Sequence, residues 1–550
     1  MSVLGRASGG SGIEIKDRQL TIDGTPILLL GGELLNSSSS TPEEIARRLD
    51  KVKELNLNTV LAPVTWEFFE PQEGTFDFTL VDSLVLEARR RGLRLIPLWF
   101  GSWKNGLSSY RPAWVKHDPQ RFPLVRTGDG QRLQILSAFS AANRDADARA
   151  FAVLMRHIRE IDLEHHTVVM VQVENEVGIL GASRDHGVEA QAVYESPVDS
   201  DFITHLESAI NTLKPSIRAA LVAGTGTPTI WAALFGDSYD ADELFQALAY
   251  ARYVDGVAAA GRAEYDIPMY TNAWLDSSHF AAEATYSAPT GRHIPGSYPS
   301  GGPLPQTFAA WKFAAPSLSF LSPDIYRGDF ASWCSSYAAQ NDVLFIPEMM
   351  KDPRGIADIH VAIGQYRAIG TSPFGVDGTD GQFPREISEL FAEVYDRLGN
   401  ISAVILTGQR ERQITGFRLN AEQPTFQVDL GGYRLTITRD VEHGAMSEVP
   451  ESWGLLVAEG PGRYFGVGAG FDVAVGAAGS DRPNLKVAFE NVRVGRFVDG
   501  EWMTTQHLNG DETVSGETWR FPYLRVTPAD ASFGEASPTL RILRCSTYEY

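Results

Sequence analysis

Two short stretches place acids where a folded chain can put them to chemical use. One reads Val171-Gln172-Val173-Glu174-Asn175-Glu176-Val177-Gly178, the other Phe345-Ile346-Pro347-Glu348-Met349-Met350, and each sets a carboxyl just past a hydrophobic run. A buried carboxyl is costly unless it has partners or a task. One glutamate at a strand end is ordinarily a salt-bridge or capping residue. Two carboxyls on facing strands have the geometry of glycoside hydrolysis, one donating a proton and the other attacking or activating water. Spacing alone does not choose between Glu174 and Glu176.

Aromatic residues follow similar runs: Trp66, Phe68 and Phe69; Trp99, Phe100 and Trp103; Trp274; and Tyr326. Sugars present apolar C–H faces ringed by hydroxyls, so a pocket mixing aromatic platforms with Asn, Glu and Lys suits them. At least half of these rings are expected to be packing, but Trp103-Lys104-Asn105 is polar and aromatic together in one loop. The pair His165-His166 precedes a strand, where it reads as structural, and no G-x-S-x-G elbow supports a serine nucleophile.

The elements that must position these groups alternate in a βα rhythm from about residue 25 to 380. Eight strands are expected: Ile27 to Gly31, Thr59 to Val64, Arg94 to Phe100, Thr167 to Val173, Pro268 to Asn272, Ser319 to Ile325, Val343 to Pro347 and Thr371 to Val376. Several are nearly continuous in apolar residues, as in strands covered on both faces. Ser40-Thr41-Pro42-Glu43-Glu44 opens a helix with a cap, an early proline and two acids at the favourable end of its dipole. Ile45, Leu49, Val52 and Leu55 give that helix its buried stripe, and Val81, Leu84, Val85 and Ala88 give the next one. The fold class is therefore α/β, a (β/α)8 barrel with insertions, in which the C-terminal strand ends share one face. An open doubly wound sheet competes, but no G-x-G-x-x-G follows the first strand.

After Gly378 the pattern changes. An amphipathic stretch, Arg385 to Leu398, ends at Gly399-Asn400, and short alternating runs follow at Phe426, Tyr433, Val487 and Leu540, punctuated by Gly-Gly, Asn-Gly and Asp-Gly pairs. These predict an antiparallel sandwich. The expected division is 1–384 for the barrel with an N-terminal extension and 385–550 for a helix plus β-sandwich. Two segments, Thr225 to Asp240 and Gly291 to Pro305, exceed bare βα connections and are expected to roof the catalytic face.

The 550 residues carry a formal charge of −21, which disfavours phosphate backbones and anionic lipid surfaces, so neither nucleic acid nor membrane is an expected partner. Two cysteines, Cys334 and Cys545, make neither a disulfide framework nor a zinc site. No apolar core of a secretory signal opens the chain, which favours an intracellular setting, and no apolar run reaches the ~18 residues that cross a bilayer. Homo-oligomerisation is left open.

The blocks Leu57-Asn58-Thr59-Val60, Trp66-Glu67-Phe68-Phe69-Glu70-Pro71, Gly74-Thr75-Phe76-Asp77-Phe78, Pro112-Ala113-Trp114-Val115 and Gln172-Val173-Glu174-Asn175-Glu176 together resemble glycoside hydrolase family 35, the β-galactosidases of a large clan of retaining (β/α)8 glycosidases. Val492 to Trp502 and Leu508 to Val514 resemble the β-rich domain that follows the barrel in one branch of that family. The resemblance implies that Glu176 is the acid/base, that Asn175 donates to the sugar 2-hydroxyl and that Glu348 is the nucleophile, leaving Glu174 as a decoy. The chain differs from better-known members in reading Gly31-Gly32-Glu33-Leu34-Leu35-Asn36-Ser37 where they carry a Ser-x-x-His-Tyr block, and Met-Met after Glu348 where they carry aromatics.

The resulting expectation is a retaining, exo-acting β-glycosidase that removes β-galactose from an oligosaccharide or glycoside and needs no metal or organic cofactor. Its pocket is expected to use Glu33, Trp66, Trp103, Lys104, Asn105, Trp274 and Tyr326, with Tyr326 hydrogen-bonded to the nucleophile. A β-glucosidase, β-xylosidase or α-L-arabinosidase on the same fold is the alternative, and a non-catalytic carbohydrate-binding barrel is another. The two carboxyls are expected about 5 to 5.5 Å apart, the separation of a retaining pair.

Overall fold

A computed structural model of the chain describes residues 12–224, 229–276, 294–378, 385–440, 451–478, 485–522 and 540–550. Eight strands close into a barrel: β1 (Leu29–Glu33), β2 (Thr59–Thr65), β3 (Arg94–Phe100), β4 (Val171–Val173), β5 (Met269–Trp274), β6 (Phe320–Ile325), β7 (Phe345–Met349) and β8 (Gly370–Pro373). Neighbours are parallel throughout, and β8 returns to β1 through Gly370 beside Leu29. Nearly every strand residue is buried, which explains the continuous apolar runs.

The strands after β4 are offset from expectation by one to three residues, so that Glu348 lies within β7 rather than past it, and β1 and β4 differ for identifiable reasons. Residues Thr25–Ile27 are spent in an antiparallel N-terminal sheet with Ile13–Lys16 and Gln19–Ile22, so β1 begins later and Glu33 becomes its last residue. The stretch before β4 follows the barrel more loosely, held by the Val169 N–H donating to the Leu95 carbonyl at 3.1 Å.

The helices form where periodicity and capping coincide. In Pro42–Glu54 the Thr41 hydroxyl accepts from the Glu44 N–H at 3.2 Å, and Ile45, Leu49 and Val52 face the core. In Thr79–Arg90 the buried face is Val81, Leu84, Val85 and Ala88. Helix Arg385–Asn400, which a boundary at 384 separates from the barrel, buries Leu390, Phe391, Val394, Tyr395 and Leu398 in the barrel's own core. It also accepts a hydrogen bond from Asn56 Nδ2 at the Ala392 carbonyl, 2.9 Å away. It is the helix that follows β8 and completes the eighth βα unit.

Beyond it lie two antiparallel sheets. The larger has six strands in the order Ile414–Leu419, Ser452–Gly460, Arg463–Ala469, Ile542–Glu549, Val487–Val498, Glu501–Leu508; the smaller has Thr425–Leu430, Tyr433–Arg439, Phe471–Ala477 and Thr518–Phe521. Phe417, Ile437, Leu456, Phe471, Trp519 and Phe521 fill the space between them. Gly431 and Gly432, both at positive φ, make the two-residue turn between Leu430 and Tyr433, a turn whose twist demands that conformation.

The sandwich is seated on the barrel by backbone against backbone. A π-helical turn, Val361–Gln365, meets strand Ile414–Leu419 so closely that a Cβ on Gly416 would lie 1.8 Å from the His360 carbonyl oxygen. Around this contact Arg418 pairs with Asp358 at 2.7 Å, and Gln409 Nε2 donates to the carbonyls of Ile363 and Ala368. Among the described residues no helix is long and apolar enough to cross a membrane. Because the neighbour of Gly416 is rigid backbone, Gly416→Ala is expected to destabilise the fold by at least about 2 kcal/mol, read as a lower midpoint in urea unfolding. An unchanged midpoint would show that the two units are not locked together here.

Candidate active site

The C-terminal ends of the barrel strands gather four carboxyl groups around one ammonium. Glu348 lies near the end of β7, with Asp324 of β6 directly abreast of it. Its Oε2 accepts from the Tyr326 hydroxyl at 2.6 Å. Its Oε1 accepts from Asn175 Nδ2 at 3.2 Å and Asn272 Nδ2 at 3.4 Å, with Lys104 Nζ 3.8 Å away. Tyr326, Asn175 and Asn272 thus donate to one carboxyl group, with the Lys104 ammonium beside it.

Opposite, β4 runs out through Glu174, Asn175 and Glu176. Glu174 and Glu176 both sit at positive φ, 62° and 47°, a conformation that non-glycine residues adopt at a cost and that clusters at functional sites. The Glu176 N–H is held by Asn272 Oδ1 at 2.9 Å. Oxygens of Glu176, Asp324 and Glu348 approach within 4.8 Å of one another. Burial first, and the Glu348 charge second, push the Glu176 carboxyl up to about 8, against the opposing pull of Lys104 and a hydrogen bond with Asp324.

The two glutamates of the motif have different surroundings. Glu174 accepts from the backbone N–H groups of Ser102, at 3.2 Å, and Trp103, at 2.8 Å. Asp147, from helix Ala141–Asp162, stands beside it and binds the Trp99 indole and the same Ser102 N–H. Any Cβ on Gly101 would strike this group, 2.3 Å from Trp99 Nε1 and 2.7 Å from Glu174 Oε1. Glu174 thus shapes the loop that carries Lys104, while Glu176 faces the other acids.

Burial works against the charge of Lys104, but Glu348, Glu33, Glu176 and Asp324 outweigh it and hold the ammonium above its ordinary range. Its Nζ also lies 4.8 Å from the Phe100 ring centre. Glu33 is buried at the end of β1, and neither of its oxygens has a hydrogen-bond partner. Burial, then the Glu348 charge, push its carboxyl well up, and the same two causes raise Asp324. One cation cannot neutralise four carboxylates at this depth, so the four do not all ionise. Asp324 Oδ2 accepts from Asn272 Nδ2 at 2.7 Å, while its Oδ1 is buried without a hydrogen-bond partner.

Other expected pocket residues divide. Tyr326 reaches Glu348, and half-buried Trp274 sits at the end of β5 abreast of Asp324. Trp103 is a buried wall, its ring edge-on to Tyr250 and Tyr253. Trp66 departs from expectation: its indole donates to Glu70 at 2.8 Å and its ring meets Trp114, because it opens a helical turn after β2 that packs outward. Asn105 departs too, being exposed at positive φ in the two-residue turn that pairs Lys104 with Leu107. Asp324 and Asn272 were missed, although both stand at the strand-end positions that singled out Glu348.

Of the two long segments, residues 225–228 and 291–293 lie outside the described residues. The described part of the second pairs with the loop just past Glu176, Ile179 and Ser300 exchanging backbone hydrogen bonds at 3.0 and 2.9 Å. In the first, Trp231 packs on Phe202 and Phe245 in the helical insertion between β4 and β5.

Residues 19–121 match glycosyl hydrolases family 35, and residues 391–520 match a domain of unknown function, DUF5597. A beta-galactosidase of Xanthomonas manihotis is 33% identical over 186 residues, covering 32% of this chain and 28% of its own. An exo-beta-D-glucosaminidase of Thermococcus kodakarensis is 35% identical over 107 residues, 17% of this chain and 13% of its own. The chain thus spans less than a third of either relative's length. A solved beta-galactosidase from Bacillus circulans sp. alkalophilus superposes with a TM-score of 0.45 at 13% identity, covering 69% of this chain and 57% of that one. The match to glycosyl hydrolases family 35 lies on β1 to β3 and the adjoining loops, and the curated proteins to which the chain is similar include further beta-galactosidases.

Proposed function

We propose that this barrel is a retaining, exo-acting β-glycosidase whose first substrate class is terminal β-galactosides. The observation that carries the reading is the closeness and unlike surroundings of two glutamates from facing strands. Oxygens of Glu176 and Glu348 within 4.8 Å favour a retaining pair over an inverting one, which needs ~6.5 to 9.5 Å to admit water. Donors from three directions suit Glu348 to attack the anomeric carbon as a carboxylate. Burial suits Glu176 to hold a proton at neutral pH, deliver it to the leaving oxygen, and then draw a proton from the attacking water.

The family relationship and the names of the relatives put galactosides first. A glucosaminide, named for the second relative, carries an ammonium at carbon 2. Asn175, which by family resemblance faces that position, has its Nδ2 on Glu348 and its Oδ1 buried without a partner, an acceptor that suits a hydroxyl and an ammonium alike. A panel of nitrophenyl galactoside, glucoside, xyloside, arabinoside and glucosaminide ranks these readings, and absence of turnover on all of them would leave a carbohydrate-binding barrel. The chain's pairing of the 294–305 segment with the loop past Glu176 supports a narrowed, exo-acting pocket, which releases monosaccharide from the first moment on a longer oligosaccharide. Mixed longer fragments at early times would contradict it.

Three outcomes are expected of the enzyme. Glu176→Ala slows poor leaving groups far more than activated phenolates and, with azide added to attack the glycosyl ester and release Glu348, yields a glycosyl azide of retained configuration, whereas Glu348→Ala loses both; equal losses in Glu176→Ala would refute the roles. Because the acid form of Glu176 is lost as pH rises through about 8, kcat/KM should fall above that pH for substrates that need protonation. Tyr326→Phe removes a hydrogen bond to a charged group, and kcat/KM should drop about ten- to hundred-fold with little change in the unfolding midpoint.

A further inference from the structure

We propose that Lys104 is a specificity-determining residue whose ammonium donates to the 3-hydroxyl of the sugar held in the barrel mouth. The inference rests on the glycosidase reading above and names a ring position which that reading leaves unassigned.

Lys104 is a donor without an acceptor. The residue is only 6% exposed, and among the described residues the closest approach of its Nζ to an acid, 3.8 Å to Glu348 Oε1, is too long for a hydrogen bond. It also faces the Phe100 ring, 4.8 Å from Nζ to the ring centre, which offers an attractive electrostatic surface but no lone pair. An ammonium carries three N–H donors, and leaving them unused in a water-poor site is costly. A sugar hydroxyl entering the mouth is the acceptor that satisfies them.

The loop is built to aim this side chain. Lys104 and Leu107 exchange backbone hydrogen bonds at 2.8 and 3.0 Å, which close the turn. Just before it, the N–H groups of Ser102 and Trp103 are tied to Glu174 and Asp147, and the Ser102 hydroxyl meets the Tyr253 phenol at 2.6 Å. Trp103 is wedged edge-on against Tyr250 and Tyr253. The ammonium is therefore held in place before any ligand arrives, which is what lets a single donor discriminate.

Its place on the rim selects the hydroxyl. Asn175 Nδ2 and Lys104 Nζ both approach Glu348 Oε1, while Tyr326 takes Oε2. Asn175, just past β4, faces the 2-hydroxyl by family resemblance. Strand β3 adjoins β4 in the barrel, so the next donor round the rim, Lys104 in the loop after β3, falls to the next ring carbon. The acids around the ammonium, Glu348 first and then Glu33, Glu176 and Asp324, oppose the effect of burial and keep it charged. They also make a sugar bearing its own carboxylate or sulfate a poor occupant, so Lys104 reads a neutral hydroxyl rather than an anion.

The test compares the panel glycoside that turns over best with its 3-deoxy and 4-deoxy forms, in the wild type and in Lys104→Met. The wild type should prefer the parent over the 3-deoxy form by roughly ten- to hundred-fold in kcat/KM, the worth of a hydrogen bond from a charged donor. Lys104→Met should lower activity on the parent and shrink that preference to within about two-fold, while the preference over the 4-deoxy form stays as in the wild type. A lysine that only supports the fold or the charge of Glu348 would slow all three substrates alike and leave both preferences in place, and that result overturns the proposal. So does a loss of the 4-deoxy preference with the 3-deoxy preference intact, or faster turnover of a galacturonide than of a galactoside. Thermal melts report folding; should Lys104→Met not fold, Lys104→Arg keeps the charge but moves the donors, and a 3-deoxy preference preserved in it is equally fatal. If no glycoside of the panel turns over, the glycosidase reading fails and this inference with it; an unaltered 3-deoxy preference in an active variant defeats this inference alone.

Discussion

Among the described residues, four carboxyl groups are buried around one ammonium, that of Lys104, and the rest of the site depends on this constraint. Ionising all four in a water-poor barrel mouth is prohibitive, so the protein must decide which acid carries the charge. It does so by unequal provision of donors. Glu348 receives a phenol, two amides and the ammonium, whereas Glu33 receives none and Asp324 a single amide. The proposed division of labour between Glu348 and Glu176 rests on that inequality rather than on any difference between one glutamate and another.

Holding such a cluster requires a rigid frame, and the barrel supplies it in layers. The parallel register sets Asp324 beside Glu348, and the ends of β1, β4 and β5 bring Glu33, the Asn175–Glu176 pair and Asn272 to the same rim. Beneath them Glu174 and Asp147 fasten the loop of Ser102, Trp103 and Lys104 through backbone N–H groups. The left-handed backbone at Glu174 and Glu176 turns consecutive acids to different tasks, one into the wall and one into the site. That strain is tolerated because the surrounding hydrogen bonds over-determine it.

The β-sandwich acts on this frame from outside. Its contact with the barrel is made through Gly416 against the turn at Val361–Gln365, between β7 and β8, and through Arg418 on Asp358. The His360 ring lies 4.5 Å from that of Trp453 in the same seam, and burial pushes this imidazole down to about 4, so the contact is made by a neutral side chain. A sandwich joined in this manner braces the segment that follows β7, the strand of Glu348.

Much of the fold was legible in the sequence because it rests on local periodicity. Doubly buried strands write themselves as apolar runs, capped helices as Thr41-Pro42-Glu43-Glu44, and two-residue hairpins as Gly431-Gly432; these need no knowledge of distant partners. The acids after β4 and β7 were equally visible, because a charge ending an apolar run is conspicuous wherever it lies. The choice between Glu174 and Glu176 required the resemblance to a family, since two residues apart on an extended strand predicts a shared side, and only the left-handed turn at both residues separates them. Asp324 and Asn272 lie in strands that are otherwise ordinary, and their importance arises from a register between β5, β6 and β7 that no local pattern encodes. Trp66 and Asn105 were misplaced for the converse reason: their types suit a sugar pocket, but which way a side chain faces after a strand end is decided by the packing of Glu70 and Trp114 and by the turn between Lys104 and Leu107. Composition and spacing thus determined the elements and the chemistry on offer. Tertiary structure decided which groups meet, because burial and donor geometry belong to the assembled barrel and not to any one of its strands.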